Sequence, residues 1–191
     1  LATMGNHDFD NGIDGFYAQL PHAKFDFVSA NYDFKNTVLN DIVKPYKIFE
    51  KDGIKIGVFG LGVELQGLVD KKLYKETVYN DPVETATEMT RILKHEKKCD
   101  LVICLSHIGF KYNNEPERIC DILLARRTKD IDLIIGGHTH TFLSKPVIEK
   151  NLDGKEVLIN QVGCYGINLG RIDFYFDANK TKSHSGRSIV V

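Results

Sequence analysis

Three polar clusters in this chain hold side chains suited to metal-assisted chemistry. They are Gly5-Asn6-His7-Asp8-Phe9-Asp10, Ser106-His107-Ile108-Gly109 and Gly136-Gly137-His138-Thr139-His140. Imidazole nitrogens with Asn and Asp oxygens make a mixed donor set of borderline softness. Such a set suits zinc, manganese, iron or nickel better than calcium, which prefers oxygen alone. Thiolates are missing from all three clusters, which argues against a purely structural zinc. Two such ions about 3.5–4 Å apart would clamp and polarise a phosphoryl group and generate hydroxide from bound water. His7, beside Asn6 but pointing differently, stays off the metal in this reading. Asp10, three residues on, can hold its ring in one tautomer, and the pair can protonate a leaving alkoxide.

Each cluster also has a plainer reading. His-x-His at 138 and 140 occurs by coincidence as well as in metal sites, and the paired glycines ahead of it can be a tight turn. Asn6, Asp8 and Asp10 can be simple turn formers. His22, His95 and His184 stand alone and receive no role. The plain readings do not explain why the clusters recur at one kind of place. Each follows directly on an apolar stretch, namely Leu1 to Met4, Leu101 to Leu105 and Ile131 to Ile135. In open α/β sheets, ligands bind beyond the carboxyl ends of the strands, so three such loops should converge.

The elements that must position them alternate between strand and helix, the pattern of an α/β fold. Gly12 to Leu20 reads as a short helix and Phe25 to Ala30 as a strand. Tyr46 to Glu50 and Ile54 to Leu61 flank the hairpin signal Asp52-Gly53. A helix runs from Pro82 to about Lys98, with Asp81 as its cap and Glu84 positioned for a capping-box pair. Leu101 to Ser106 and Ile131 to Ile135 are continuous apolar runs, as in strands covered on both faces. Between them a helix is predicted from about Glu115 to Arg127. Val147 to Glu149, Val157 to Gln161 and Arg171 to Phe176 alternate like antiparallel strands. The division is one domain over residues 1–179, followed by a polar, frayed tail or linker over 180–191.

Composition narrows the function classes. The 191 residues are 42% hydrophobic, with 25 Lys plus Arg against 26 Asp plus Glu. That balance lacks the basic surface needed to grip a phosphate backbone, so no nucleic-acid polymer is expected as partner. No apolar run approaches the roughly 18 residues of a membrane span, and no export signal is present. Cys99, Cys104, Cys120 and Cys164 show no Cys-x-x-Cys spacing and read as small hydrophobes. Cys99 and Cys104, five residues apart, are expected to face opposite ways.

The run Gly5-Asn6-His7-Asp8-Phe9-Asp10-Asn11-Gly12, with His107 and Gly136-Gly137-His138-Thr139-His140, resembles the calcineurin-type metallophosphoesterases, in particular their 5′-nucleotidase branch. Val162-Gly163-Cys164-Tyr165-Gly166 and Leu169-Gly170-Arg171-Ile172-Asp173 are similar to the strands closing that catalytic domain. The resemblance implies a four-layer α/β/β/α sandwich of the metallo-dependent phosphatase type, lacking its first strands here. It implies two divalent ions, with Asn6, His107 and His138 on one and His140 on the other. His7 and Asp10 become the catalytic pair, while Asn6 and His7 also face the substrate. That substrate would be a nucleotide phosphoester, usually outside the cytoplasm, in the periplasm or at the cell surface.

Members of the branch also carry an upstream Asp-x-His and Gly-Asp, which include the carboxylate bridging both metals, and a separate carboxy-terminal specificity domain. This chain begins five residues before Asn6 and has neither. It is therefore expected to bind two metals poorly, to turn over weakly or not at all, and to self-associate through an exposed sheet edge. The rival readings are a cyclic-nucleotide phosphodiesterase, a nucleotide-sugar hydrolase or a sulfur-oxidation protein of the same superfamily, or a non-catalytic binding module on this fold.

Overall fold

Asp52 and Gly53 both take positive φ, 52° and 75°, the geometry a tight hairpin requires, and they join the first two strands of the central sheet. The computed structural model describes all residues 1–191. In chain order, the first half runs β1 (Ala2–Thr3), α1 (Gly12–Gln19), β2 (Phe27–Val28), β3 (Tyr32–Asp33), β4 (Tyr46–Lys51) and β5 (Ile54–Gly62). Next come α2 (Lys71–Tyr74), β6 (Val78–Tyr79), α3 (Pro82–Thr90), β7 (Leu101–His107) and α4 (Asp121–Arg127). The chain closes with β8 (Leu133–Ile135), β9 (Val147–Lys150), β10 (Glu156–Asn160), β11 (Asn168–Phe176) and β12 (Lys182–Val190).

Six strands form the central sheet in the order β4-β5-β7-β8-β10-β9. The inner four are mutually parallel, and antiparallel β4 and β9 close the two edges. Parallel inner strands explain why these segments read as apolar runs: both of their faces are covered. One face buries Phe59, Leu61, Val102, Cys104, Ile134 and Ile159 against Ala86, Met89 and Leu93 of the α3 arm and Leu124 and Ala125 of α4. On the opposite face β1 and β2 cross so close that a Cβ on Gly60 would lie 2.1 Å from the Val28 carbonyl. Outside them sits α1, its Phe16 ring 4.9 Å from that of Phe27.

The antiparallel pair β11–β12 covers the same face further along, with Gly170 directly over Asn160. Ile172, Phe174 and Phe176 of β11 then face Ile56, Leu101 and Leu133 across a largely apolar cavity of about 760 Å³. The layers are therefore helices, six-stranded sheet, the three two-stranded sheets β1–β2, β3–β6 and β11–β12, and α1, which is the expected α/β/β/α order.

Several expectations need correcting. Residues 182–190 are not a frayed tail but β12, paired residue by residue with β11. Its polar side chains hid it, because backbone pairing rather than apolar burial sets that register. The helix predicted from Glu115 begins only at Asp121. Pro116 disfavours helix at the residue before it, and the Asp121 N–H is committed to the Gly109 carbonyl at 2.8 Å. The α3 helix is capped as expected, Asp81 accepting from Val83 and Glu84 N–H, yet it widens into a π turn over Arg91–Glu96. The predicted strand at 25–30 shortens to Phe27–Val28. Cys99 and Cys104 share the helix-side core, since Cys99 precedes β7 and escapes its alternation.

Candidate metal centre

All three clusters emerge at one edge of the molecule because β7 and β8 are parallel and β1 packs across β5 and β7. After β1 the buried Met4 and Phe9 pin a 3₁₀ turn over Asn6–Phe9. The Asp8 carboxylate closes this turn by accepting the Gly5 N–H at 2.7 Å, so Asp8 is the turn former of the plainer reading. Burial raises its pKa above the ordinary carboxylate value.

His107 ends β7 with its imidazole wedged between two glycines. A Cβ on Gly5 would lie 2.6 Å from His107 Nε2, and one on Gly137 would lie 2.9 Å from Nδ1. Both glycines therefore serve close approach to this ring. The His107 and His138 rings meet edge to face with centroids 5.3 Å apart, and His138 Nδ1 donates to the Asn6 side-chain oxygen at 3.1 Å. Burial, followed by the nearby imidazoles of His138, His7 and His140, pushes His107 down to about 4. His138 is lowered too, by burial first and then by Arg118, His140 and His7. At neutral pH both rings are thus uncharged and carry a lone pair.

These residues fit a divalent cation in part. Two donors on one ion, each at about 2.0–2.2 Å, stand roughly 3.0–3.5 Å apart. The 3.1 Å between His138 Nδ1 and Asn6 Oδ1 falls in that range. No three His, Cys, Asp or Glu side chains converge on one point, so the amide of Asn6 is what makes His107 and His138 a set of three. His140 is exposed, its ring 6.2 Å from that of Tyr165. The neighbouring carboxylates are already engaged, Asp8 by Gly5 and Asp10 by His7.

His7 points outward, its side chain 78% exposed, and its Nδ1 meets Asp10 Oδ2 at 3.0 Å. That leaves Nε2 free toward solvent. The three histidines without an assigned role are elsewhere: His95 pairs with Asp130, His184 lies near Glu156, and His22 ends a surface turn.

A family model described as calcineurin-like phosphoesterase matches residues 1–142. The chain belongs to this family. It is 34% identical to the trifunctional nucleotide phosphoesterase protein YfkN of Bacillus subtilis, over 92% of this chain but 13% of that protein. It is 32% identical to a snake venom 5′-nucleotidase of Gloydius brevicauda, over 99% of this chain and 34% of the enzyme. The crystal structure of a 5′-nucleotidase precursor from Thermus thermophilus superposes with a TM-score of 0.86 at 28% identity, covering 98% of this chain and 38% of that one. The chain thus spans between 13% and 38% of the length of these relatives. Calcineurin-like phosphoesterases generally use two divalent metals. No helix is long and apolar enough to cross a membrane.

Sequence reasoning gave no role to three residues around this centre. Ser106 and Asp121 form a buried pair beneath His107, Oγ to Oδ1 at 2.5 Å. Gln161, following β10, bonds to the loop bearing His138 and His140. The strand-end rule that located the histidines also applies to Gln161, yet a lone glutamine carries no motif to draw attention.

Proposed function

We propose that this chain carries part of the catalytic centre of a two-metal hydrolase of nucleotide phosphoesters, of the 5′-nucleotidase type. The observation that carries the reading is the run of contacts from Asn6 to His138 and from His138 to His107, with the hydrogen-bonded pair His7 and Asp10 next to Asn6 in the chain. Divalent ions at such a centre supply Lewis-acid charge for the phosphoryl oxygens and a nucleophilic water at neutral pH. Asn6, His107 and His138 would hold one ion, and His140 would contribute to the second. Asn6 and His7 face the substrate. As water adds to phosphorus and the ester P–O bond breaks, the imidazolium form of His7, its Nδ1–H held by Asp10, would give its Nε2 proton to the leaving oxygen and end as the neutral ring.

The 191-residue polypeptide alone binds ions weakly and turns over slowly. Three donors would serve one ion and a single exposed imidazole the other, and no three His, Cys, Asp or Glu side chains group as a metal site. Relatives named as nucleotide phosphoesterase and 5′-nucleotidase support a nucleotide substrate, and their greater length supports a separate specificity domain. The venom relative supports a place outside the cytoplasm.

The test is hydrolysis of adenosine 5′-monophosphate, a 2′,3′-cyclic nucleotide and a nucleotide sugar by the purified chain with added manganese. Slow release of phosphate from the monophosphate is expected, with a further loss in His138→Ala and in His7→Ala. Rapid turnover would overturn the weak-site reading, and hydrolysis untouched by His138→Ala would overturn the assignment of the centre.

A further inference from the structure

Both imidazoles of the His-x-His loop stand on unusual backbone. His138 has φ 72° and His140 φ 50°, the left-handed region that residues with a Cβ avoid. Two such residues flanking one threonine do not persist in a loop unless its surroundings impose them. What surrounds this loop is Gln161, 2% exposed and directly after β10. Its Oε1 accepts the Thr141 N–H and the Thr139 hydroxyl, and its Nε2 donates to the Gly137 carbonyl at 2.8 Å. One buried amide therefore uses both its ends on residues 137, 139 and 141, and it makes no bond to either histidine between them.

The tie continues beyond the loop. Thr139 Oγ1 also accepts the Phe110 N–H at 2.9 Å, which links the loop to the segment leaving His107. Through Gln161 and Thr139, the exits of β7, β8 and β10 are hydrogen-bonded into one frame, and His107, His138 and His140 all stand on it.

We infer that Gln161 is a positioning residue that holds the Gly137–Thr141 backbone in its left-handed course, so that His138 and His140 present their rings as cation donors. The inference rests on the proposed metal-centre reading. A donor-to-metal distance is tolerated within about ±0.2 Å, so slack in this loop is felt at the ion.

The experiment is a cobalt(II) titration of the purified chain by calorimetry and by visible absorption, with unfolding of the metal-free protein followed in parallel. Gln161→Met keeps the side-chain length and removes all three bonds. It is expected to weaken cobalt affinity at least tenfold and to alter the absorption bands in protein that remains folded. Gln161→Glu keeps the acceptor oxygen and loses the donor to Gly137, and should fall between wild type and Gln161→Met. If Gln161→Met does not fold, Thr139→Val, which cuts only the hydroxyl links, is expected to lower affinity several-fold. Folded variants with wild-type affinity and spectrum would overturn the inference. His138→Ala separates the two claims. Lost affinity there, with Gln161 and Thr139 variants unchanged, defeats the positioning role alone, whereas unchanged affinity in His138→Ala defeats the metal centre itself.

Discussion

Adding a single methyl group at Gly5 should disable the centre without replacing any proposed ligand. Gly5 has φ −108° and ψ 177°, ordinary extended backbone, so alanine there is not strained in itself. Its Cβ, however, would lie 2.6, 2.7 and 2.8 Å from Nε2, Cε1 and Cδ2 of His107, where ordinary contact begins at 3.4 Å. The ring must retreat by roughly 0.7 Å, several times the ±0.2 Å tolerance of a metal bond. It cannot retreat freely, because Gly137 stands against its other edge. Overpacking of this kind costs about 1–3 kcal/mol, and at about 2–4 °C per kcal/mol for a domain of this size the melting temperature should fall by roughly 2–12 °C. Gly5→Ala should also lower cobalt affinity at least tenfold, and the His107 imidazole resonances should move in the metal-free protein. Unchanged melting, affinity and resonances together would refute the packing of His107 between Gly5 and Gly137.

Two further substitutions test the frame beneath the site. Burial raises Asp121 from 3.8 to about 7. The folded chain therefore keeps a proton that the unfolded chain releases, and stability falls as pH rises through that window, by at most about 4 kcal/mol. Asp121→Asn should remove that slope in urea unfolding measured between pH 4 and 8, and an identical slope in both proteins would contradict it. Asn31 is fully buried and exchanges two 2.8 Å hydrogen bonds with the Gly62 backbone at the end of β5. Asn31→Ala leaves that N–H and carbonyl unpaired, so urea unfolding should show a loss of about 2–4 kcal/mol, and a loss under 0.5 kcal/mol would count against the role.

The parts of this site that could be read without coordinates share one property: their signal is local in the chain. Apolar runs ending in polar clusters mark strand ends, and parallel strands carry those ends to one edge, as His107 and His138 illustrate. The i,i+3 spacing of His7 and Asp10 was enough to predict their contact. Gln161 and Asp121 were invisible because their roles come from partners 15 to 24 residues away and not from any pattern around them. Strand β12 escaped for a related reason. Lys182, Ser183, His184 and Ser185 look like a solvated tail, and only pairing with Phe176, Tyr175, Phe174 and Asp173 makes them a strand. The late start of α4 was set in part by a tertiary bond to Gly109, which no local propensity encodes.

The central claim is that Asn6, His107 and His138 share a divalent cation. The most direct measurement is a cadmium-113 and imidazole nitrogen-15 NMR titration of the chain. It is predicted to give a cadmium signal in the nitrogen/oxygen-ligand range, with the ring nitrogens of His107 and His138 shifting together and those of His22, His95 and His184 unmoved. Cadmium that shifts the latter three, or that leaves His107 and His138 where they were, would contradict the assignment.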